Sequence, residues 1–444
     1  MEADLSAQRS IVAAPLERSV DLAAGLTKQV RMIQFMLLTI IAAASTLAAR
    51  AISPLQEAMR AALLLTDNHM ALLQGPALAL PVVIAAIPLG FLIDRKIRIR
   101  LLFVFGLLDL MGCLLTAAAS GFELLFLARC LVGLSTAAIT ITSFSLLADL
   151  YPPAMRGRAK AVVVIGQHGG TALAFALGGW LLVSFDTPQS WRWTLLWLTV
   201  PAFILVLILM LVMREPPRTG AAVREPSSRQ TFRELRQYRS IVLPLMIGIV
   251  LVELSMFAVL AWAAPTLARS FDQGPDRAGV IIGTAMMVSG ILGPVLGGTL
   301  ADFCHSSGGP RRTITVLGGL ALLGVPGVLF PIAPSVTVAA ALLVMFVTIV
   351  NATMAMGITM FTIVIPNELR GLCLAILSAA ISLFGVALGP VAVSLVSGAL
   401  GGPAMVGQAL AWVCITANVL CALSFVVGRR SFPRPARVIS GVVS

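Results

Sequence analysis

Charge is scarce in this sequence: Asp, Glu, Lys and Arg together make up 11% of its 444 residues, against 59% hydrophobic types. A soluble domain carries about 25% charged residues, so the chain lacks the polar surface that water requires, and a globular soluble protein is excluded. Histidine is nearly absent, with only His69, His168 and His305. There is also no HExxH, no GxSxG and no clustered acid–base set, so the chain does not read as an enzyme. No GxxxxGK[ST] loop is present to cradle a nucleotide phosphate, which argues against ATP-driven transport. The six cysteines (113, 130, 304, 373, 414 and 421) are scattered, almost all in apolar runs, without metal-ligand spacing. They read as small buried hydrophobes, and neither a metal nor another cofactor is expected. The first ~30 residues mix charges without a cleavable signal pattern, and so read as a tail.

What is present is apolar length. A membrane-spanning helix needs about 20 mostly apolar residues, and such stretches recur at 32–52, 71–93, 101–120, 123–148, 159–184, 191–213, 241–263, 278–300, 312–331, 336–361, 371–397 and 408–428. The expectation is an all-α integral membrane protein of twelve transmembrane helices in two six-helix halves. The net charge of +12 could suggest nucleic acid, but its placement argues otherwise. Of 31 Lys and Arg, 25 fall in the two tails and alternate short loops; only Arg60, Arg192, Arg269 and Arg277 fall in the opposite loops, while Arg50 and Arg129 lie inside spans. That bias is the positive-inside pattern, and it predicts both termini in the cytoplasm and an even number of spans. No nucleic-acid partner is implied; the bilayer itself, including its anionic lipids, is the expected partner.

The chain also reads as an internal repeat. GFLIDRKIRIR (90–100) follows the second span and GTLAD (298–302), with Arg311 and Arg312 after it, follows the eighth. PPAMRG (152–157) follows the fourth and PNELRG (366–371) the tenth. The offsets are 298 − 90 = 208 and 366 − 152 = 214, close enough to mark two related halves. The expected organisation is a cytoplasmic tail (1–31), a first half (32–213), an Arg-rich cytoplasmic linker (214–240), a second half (241–428) and a cytoplasmic tail (429–444). Parallel repeats of this kind place a substrate site between the halves near the bilayer midplane.

GFLIDRKIRIR resembles the signature loop after the second helix in the major facilitator superfamily. LTDNHMALLQGPALALPVVIAAIPLGFLIDR, LFLARCLVGL, DLYPPAMRGRA, LGGWL, WRW, MREPP, AWAAPTLARSF and GVALGPVAVSLVSG resemble the spinster-like branch of that superfamily, across roughly 35–430. The resemblance implies a twelve-helix secondary transporter alternating between inward-open and outward-open states; animal members of the branch move lysolipids and sphingoid lipids. Three departures stand out. Position 97 is Ile where the superfamily loop usually has Gly. Ala49 precedes Arg50 where the branch has Asp before its first-helix Arg, and Thr136 stands where it has Glu seven residues after the fourth-helix Arg. Both carboxylates that the resemblance would assign to proton handling are missing, which leaves open how transport would be energised.

Candidate residues follow from depth and charge. The loop from Gly90 reads as a cytoplasmic latch: Gly90 allowing close helix approach, Asp94 at a helix end, and Arg95 and Arg98 pairing with carboxylates, Asp149 foremost. Arg156, Asp302 and Arg370 stand at the matching landmarks. The alternative is that these basic residues serve only as topology anchors. Ionisable groups inside a span are costly, about 2.5–3.5 kcal/mol each on insertion scales, and are functional candidates by default. Arg50, Asp109, Arg129, His168 and Glu253 qualify, and Gln167 and Asn351 are weaker polar candidates. Glu253 is the only carboxylate within the second-half spans, which suits a proton-coupling acid; a hydrogen bond to a neighbouring helix is the alternative. Asp109 reads equally as a coupling acid or as packing. Arg129 suits an anionic substrate or ties backbone carbonyls of adjacent helices. Arg50 faces the path or snorkels to the interface. His168 can line a cavity beside Gln167, Gly169 and Gly170, or rest as a neutral interhelical group.

The function expected is secondary active transport of a small organic solute, anionic or amphipathic and lysolipid-like, across a bacterial inner membrane by a monomer, with protons as a candidate coupling partner. A non-transporting sensor or scaffold, or an uncoupled facilitator, is the alternative.

Overall fold

The computed structural model describes residues 28–185, 187–216 and 238–431. The expected tails and linker therefore lie outside the described residues, except for 28–31, 214–216, 238–240 and 429–431. All secondary structure among the described residues is helical. Twelve helices are long and apolar enough to cross a membrane: span 1 (Gln29–Arg50), span 2 (Asp67–Arg95), span 3 (Arg98–Ala118), span 4 (Phe122–Leu150), span 5 (Met155–Ser184), span 6 (Ser190–Val212), span 7 (Arg239–Phe271), span 8 (Pro275–Ser306), span 9 (Gly309–Ile332), span 10 (Val336–Val364), span 11 (Leu369–Ala399) and span 12 (Pro403–Arg429). All twelve expected stretches are present.

Three spans differ from the hydropathy reading for local reasons. Span 2 begins at Asp67 rather than 71. Thr66 caps it, its hydroxyl accepting from the His69 amide while the His69 imidazole accepts from the Thr66 amide, so the helix starts within a polar TDNH stretch that hydropathy leaves out. Span 8 continues to Ser306, and the break before span 9 comes at Gly309, whose φ of 63° a side chain would resist. Span 11 is interrupted by a π-helical stretch, Ile381–Val386, whose last two residues open the glycine-containing GVALGP motif (385–390).

The chain packs as two compact units. The described residues up to Leu64, with those from Pro81 to the linker, form the first; Leu65–Leu80 and the described residues after the linker form the second. The stretch 65–80, first-half by sequence, thus packs with the second unit. Gly75 explains part of this: where its Cβ would stand, the Ala387 and Val386 carbonyls lie 2.6 and 3.1 Å away, so only glycine fits.

The repeat is visible in the packing of each unit. Span 1 packs on spans 4, 5 and 6; span 7, its counterpart, packs on spans 10, 11 and 12. In the first unit a single apolar core draws on all six spans, among them Leu38, Leu89, Phe105, Leu146, Val163 and Leu209. Glycine sets the closest approaches. A Cβ on Gly170 would stand 2.0 Å from the Ala43 carbonyl, and one on Gly297 would stand 2.3 Å from the Ala352 carbonyl. In the second unit a proline is compensated by a hydroxyl. Pro244 has no N–H for the Ser240 carbonyl one turn back, and the Ser431 hydroxyl donates to that carbonyl at 2.9 Å instead.

Candidate functional site

At the ends of spans 3 and 4 lies an ion cluster centred on a buried arginine. Arg98 opens span 3 and is 3% exposed. Its guanidinium is ion-paired with Asp149, at the end of span 4, and donates through Nε to Glu215 Oε1 at 2.8 Å. It also donates to the Ser145 hydroxyl at 3.3 Å and to the Pro216 carbonyl at 3.3 Å. Span 3 has no capping side chain of its own. Glu215 supplies one from a distance, its second oxygen accepting from the Ile99 amide at 3.0 Å, where a helix N-terminus favours an anion. Gln34 of span 1 donates to the Arg214 carbonyl at 2.9 Å. The first residues of the linker are thus fastened to spans 1, 3 and 4.

The other residues of the expected latch stand differently. Asp94 is exposed, and the Arg95 guanidinium lies over the Phe91 ring, 5.6 Å from its centroid. The close helix approach expected at Gly90 is corrected: a Cβ there would meet nothing within 4 Å, and the same holds at Gly298. Arg156 donates to the Tyr151 carbonyl at 3.1 Å. Tyr151 packs edge-on against Phe35, with Arg31 over its ring; burial pushes its phenol up, while Arg31 pulls the other way. At the matching second-unit landmarks, Asp302 is exposed, Arg370 is half-buried with no partner for its Nε among the described residues, and Arg312 lies over Phe303.

Deeper in the first unit, Arg129 is 1% exposed and donates to the carbonyls of Ala48 and Ala49 in the last turn of span 1. A cation at a helix C-terminus offsets the free carbonyls there. Of the two readings of Arg129, this geometry is the carbonyl tie. Asp109 of span 3 is 4% exposed and accepts from the Ser135 hydroxyl at 2.8 Å. Gln167 donates to the Thr140 hydroxyl at 3.0 Å, and His168 beside it is half-buried. Arg50 closes span 1, half-buried.

In the second unit Glu253 is half-buried on span 7, and a Cβ on Gly385 of the π-helical stretch would lie 3.3 Å from its Cβ. Asn351 of span 10 donates to the Ser289 carbonyl of span 8 at 3.3 Å. A feature missed from sequence lies in the same unit. Asp67, in the first turn of span 2, accepts two hydrogen bonds from Arg269, in the last turn of span 7, at 2.7 and 2.9 Å. Next to it, Ser394 of span 11 donates to Asn68 at 2.6 Å. The available signal was Arg269 itself, one of only four basic residues in loops otherwise free of them. Among the described residues, no group of His, Cys, Asp and Glu has the arrangement of a metal site.

Residues 36–302 match the sequence profile described as the Major Facilitator Superfamily. The chain is 29% identical over 172 residues to protein spinster homolog 3 of Homo sapiens, covering 38% of this chain and 33% of that protein. It is 35% identical over 127 residues to the puromycin resistance protein pur8 of Streptomyces alboniger, covering 28% and 24% respectively. With the galactose-proton symporter of Escherichia coli K12 it shares 30% over 142 residues, covering 32% and 29%. The matched stretches thus span a third or less of these relatives' own length. Among solved structures, a bacterial homolog of the human lysosomal transporter Spinster, inward-facing and unoccupied, superposes with a TM-score of 0.74 at 20% identity, covering 91% of this chain and 96% of that one. That likeness is one of fold.

Proposed function

The chain belongs to the Major Facilitator Superfamily, and from that premise we propose that it is a secondary active transporter, moving a small anionic or amphipathic organic solute by alternating access. The observation that carries this reading is the Arg98–Asp149–Glu215 cluster around the buried Arg98. One buried guanidinium, paired with a partly buried and a more exposed carboxylate, holds spans 3 and 4 and the start of the linker together, an arrangement whose making and breaking would bias a two-state equilibrium. Arg98 is the centre of the proposed cytoplasmic latch, to which Asp94, Arg95 and Arg156 are assigned, with Asp302 and Arg370 at the matching landmarks of the second unit. The proposed solute path draws on Arg50, Gln167, His168, Glu253 and Asn351. Arg129, held by two backbone carbonyls, takes the part of a positioning residue that sets the end of span 1 beside that path. An amphipathic, lysolipid-like solute is favoured by the likeness to spinster proteins, and proton coupling by a relative named a proton symporter. The basic loops support both termini in the cytoplasm, and a multi-pass monomer in a bacterial inner membrane is the proposed setting.

Reconstitution of the full chain into liposomes tests the reading. Flux of radiolabelled lysophosphatidate, gluconate or benzoate is measured under a pH gradient of either direction. The expected result is net flux of one of these classes, lost on Glu253→Gln or Arg50→Ala. No flux of any class under either gradient would overturn it in favour of a sensor or scaffold.

A further inference from the structure

Asp109 is a carboxyl group in the interior of the first unit, 4% exposed, and among the described residues no Lys, Arg or His forms an ion pair with it. The groups around it are neutral or already engaged. Span 4 presents the Ser135 hydroxyl at 2.8 Å and, within electrostatic reach, Arg129, whose terminal nitrogens are bound to the Ala48 and Ala49 carbonyls. Span 1 presents the Ser45 hydroxyl near the carboxyl, with its own hydrogen bond running to Thr136 Oγ1. Cys113, one turn along span 3, is a buried neutral thiol. An ionised carboxylate in such surroundings is costly, and a neutral acid must place its own proton.

The hydroxyls provide for both forms. Ser135 lies within reach of two acceptors, Asp109 Oδ1 at 2.8 Å and the Val132 carbonyl at 3.0 Å, but has one proton to give. Ser45 donates to Thr136 Oγ1 at 3.1 Å, and Thr136 donates onward to the Ser45 carbonyl at 3.4 Å. With the acid neutral, its O–H can turn to Ser45 Oγ, from which donors run through Thr136 to a backbone carbonyl, and Ser135 can turn to Val132. With the acid ionised, Ser135 and Ser45 turn their protons onto the carboxylate. Rotation of two hydroxyls converts one pattern into the other, and the carboxyl keeps a partner in both, which is what a buried polar group requires. The polar string continues outward: Thr140 donates to the Thr136 carbonyl at 3.0 Å, and Gln167 donates to Thr140 at 3.0 Å.

We propose that Asp109 is a proton-binding site of this chain, taking up and releasing one proton at its carboxyl oxygens while Ser45, Ser135 and Thr136 reverse their hydrogen bonds around it. The proposal deepens the transport reading by naming the group that would couple a proton to the solute, and rests on that reading for its purpose; its test needs no solute. Infrared difference spectra of the full chain in lipid bilayers are recorded between alkaline and acidic buffer. The expected spectrum gains a carboxylic-acid carbonyl band on acidification that Asp109→Asn abolishes. Ser45→Ala shifts the same band, because the acid loses the acceptor of its proton, and Thr136→Val shifts it less. A band that survives in Asp109→Asn, or that vanishes in Glu253→Gln instead, overturns the proposal. Should Asp109→Asn fail to fold, an unshifted band in Ser45→Ala overturns it equally. A chain that shows the Asp109 band but no flux contradicts the transport reading and leaves the proton site standing.

Discussion

The two units share one packing scheme but hold their helices with different chemistry. In the first, the buried polar side chains include Arg98, Asp109 and Arg129; in the second they are Ser, Thr, Asn and Gln, and no charged side chain among the described residues is as deeply buried. Spans 8 and 10 are joined by Ser289, Thr348 and Asn351, and spans 7 and 12 by Ser255 and Asn418. A buried charge tolerates few partners, and removing one member leaves the others uncompensated, so it fixes one arrangement firmly. Neutral bonds between helices in a bilayer are worth about 0.6 kcal/mol on average, because a displaced group finds another partner. The first unit therefore holds its register more firmly, and the second gives way more readily.

The strongest way to break that comparison is Arg98→Ala. It strands Asp149 and Glu215, and loss of one partner from a buried pair costs about 3–5 kcal/mol. Denaturant unfolding of the purified chain should show a loss of that size. Arg312→Ala, at the matching landmark of the second unit, removes an exposed guanidinium lying over Phe303 and should leave unfolding close to wild type, as surface charges usually do. Equal losses for the two variants would show that the halves do not differ in the way described.

The twelve spans were legible because apolar length is a property of each stretch alone, and the repeat because its landmarks are short and charged. The Arg98–Asp149 pair was legible for the same reason, as charges at the ends of neighbouring spans. Glu215 was not: it sits in a polar linker where any one carboxylate reads like the next, and only the fold brings it back to the start of span 3. Arg129 could be marked as costly where it stands, but its partners are backbone carbonyls, which no side-chain pattern records. Gly90 misled because a glycine beside charges in a recurring motif reads as a close approach, and here nothing approaches it. Asp67 and Arg269 lie 202 residues apart, so no local pattern joins them.

That pair brings opposite charges together in partly buried surroundings of the second unit, with 10% and 13% of the two side chains exposed. It sharpens the comparison by showing what a charge contributes at the edge of the neutral unit. Asp67→Asn removes the charge from two hydrogen bonds, and bonds to charged groups are worth about 1.5–3 kcal/mol. A double-mutant cycle with Arg269→Gln should return a coupling in that range, below the loss seen for Arg98→Ala. A coupling near zero would make the second unit wholly neutral in its energetics, and one above the Arg98 value would invert the comparison.

The smallest effect is expected inside the neutral unit, at Asn351. Its amide donates to the Ser289 carbonyl, while Ser289 also bonds Thr348 and the Val344 carbonyl. Asn351→Ala leaves those other bonds intact. It also keeps the Cβ against which Gly293 packs, since a Cβ on that glycine would come within 2.4 Å of it. The loss in unfolding free energy should therefore be about 0.6 kcal/mol, the average for an interhelical hydrogen bond in a membrane protein. Flux measured on the same variant separates the two roles open to this residue. If stability barely moves and flux is unchanged, Asn351 only joins spans 8 and 10. If stability barely moves but flux falls tenfold or more, a barrier change of about 1.4 kcal/mol, the amide belongs to the solute path. The neutral chemistry of the second unit would then serve to let a solute compete for its hydrogen bonds, which a buried ion pair like that of Arg98 does not permit.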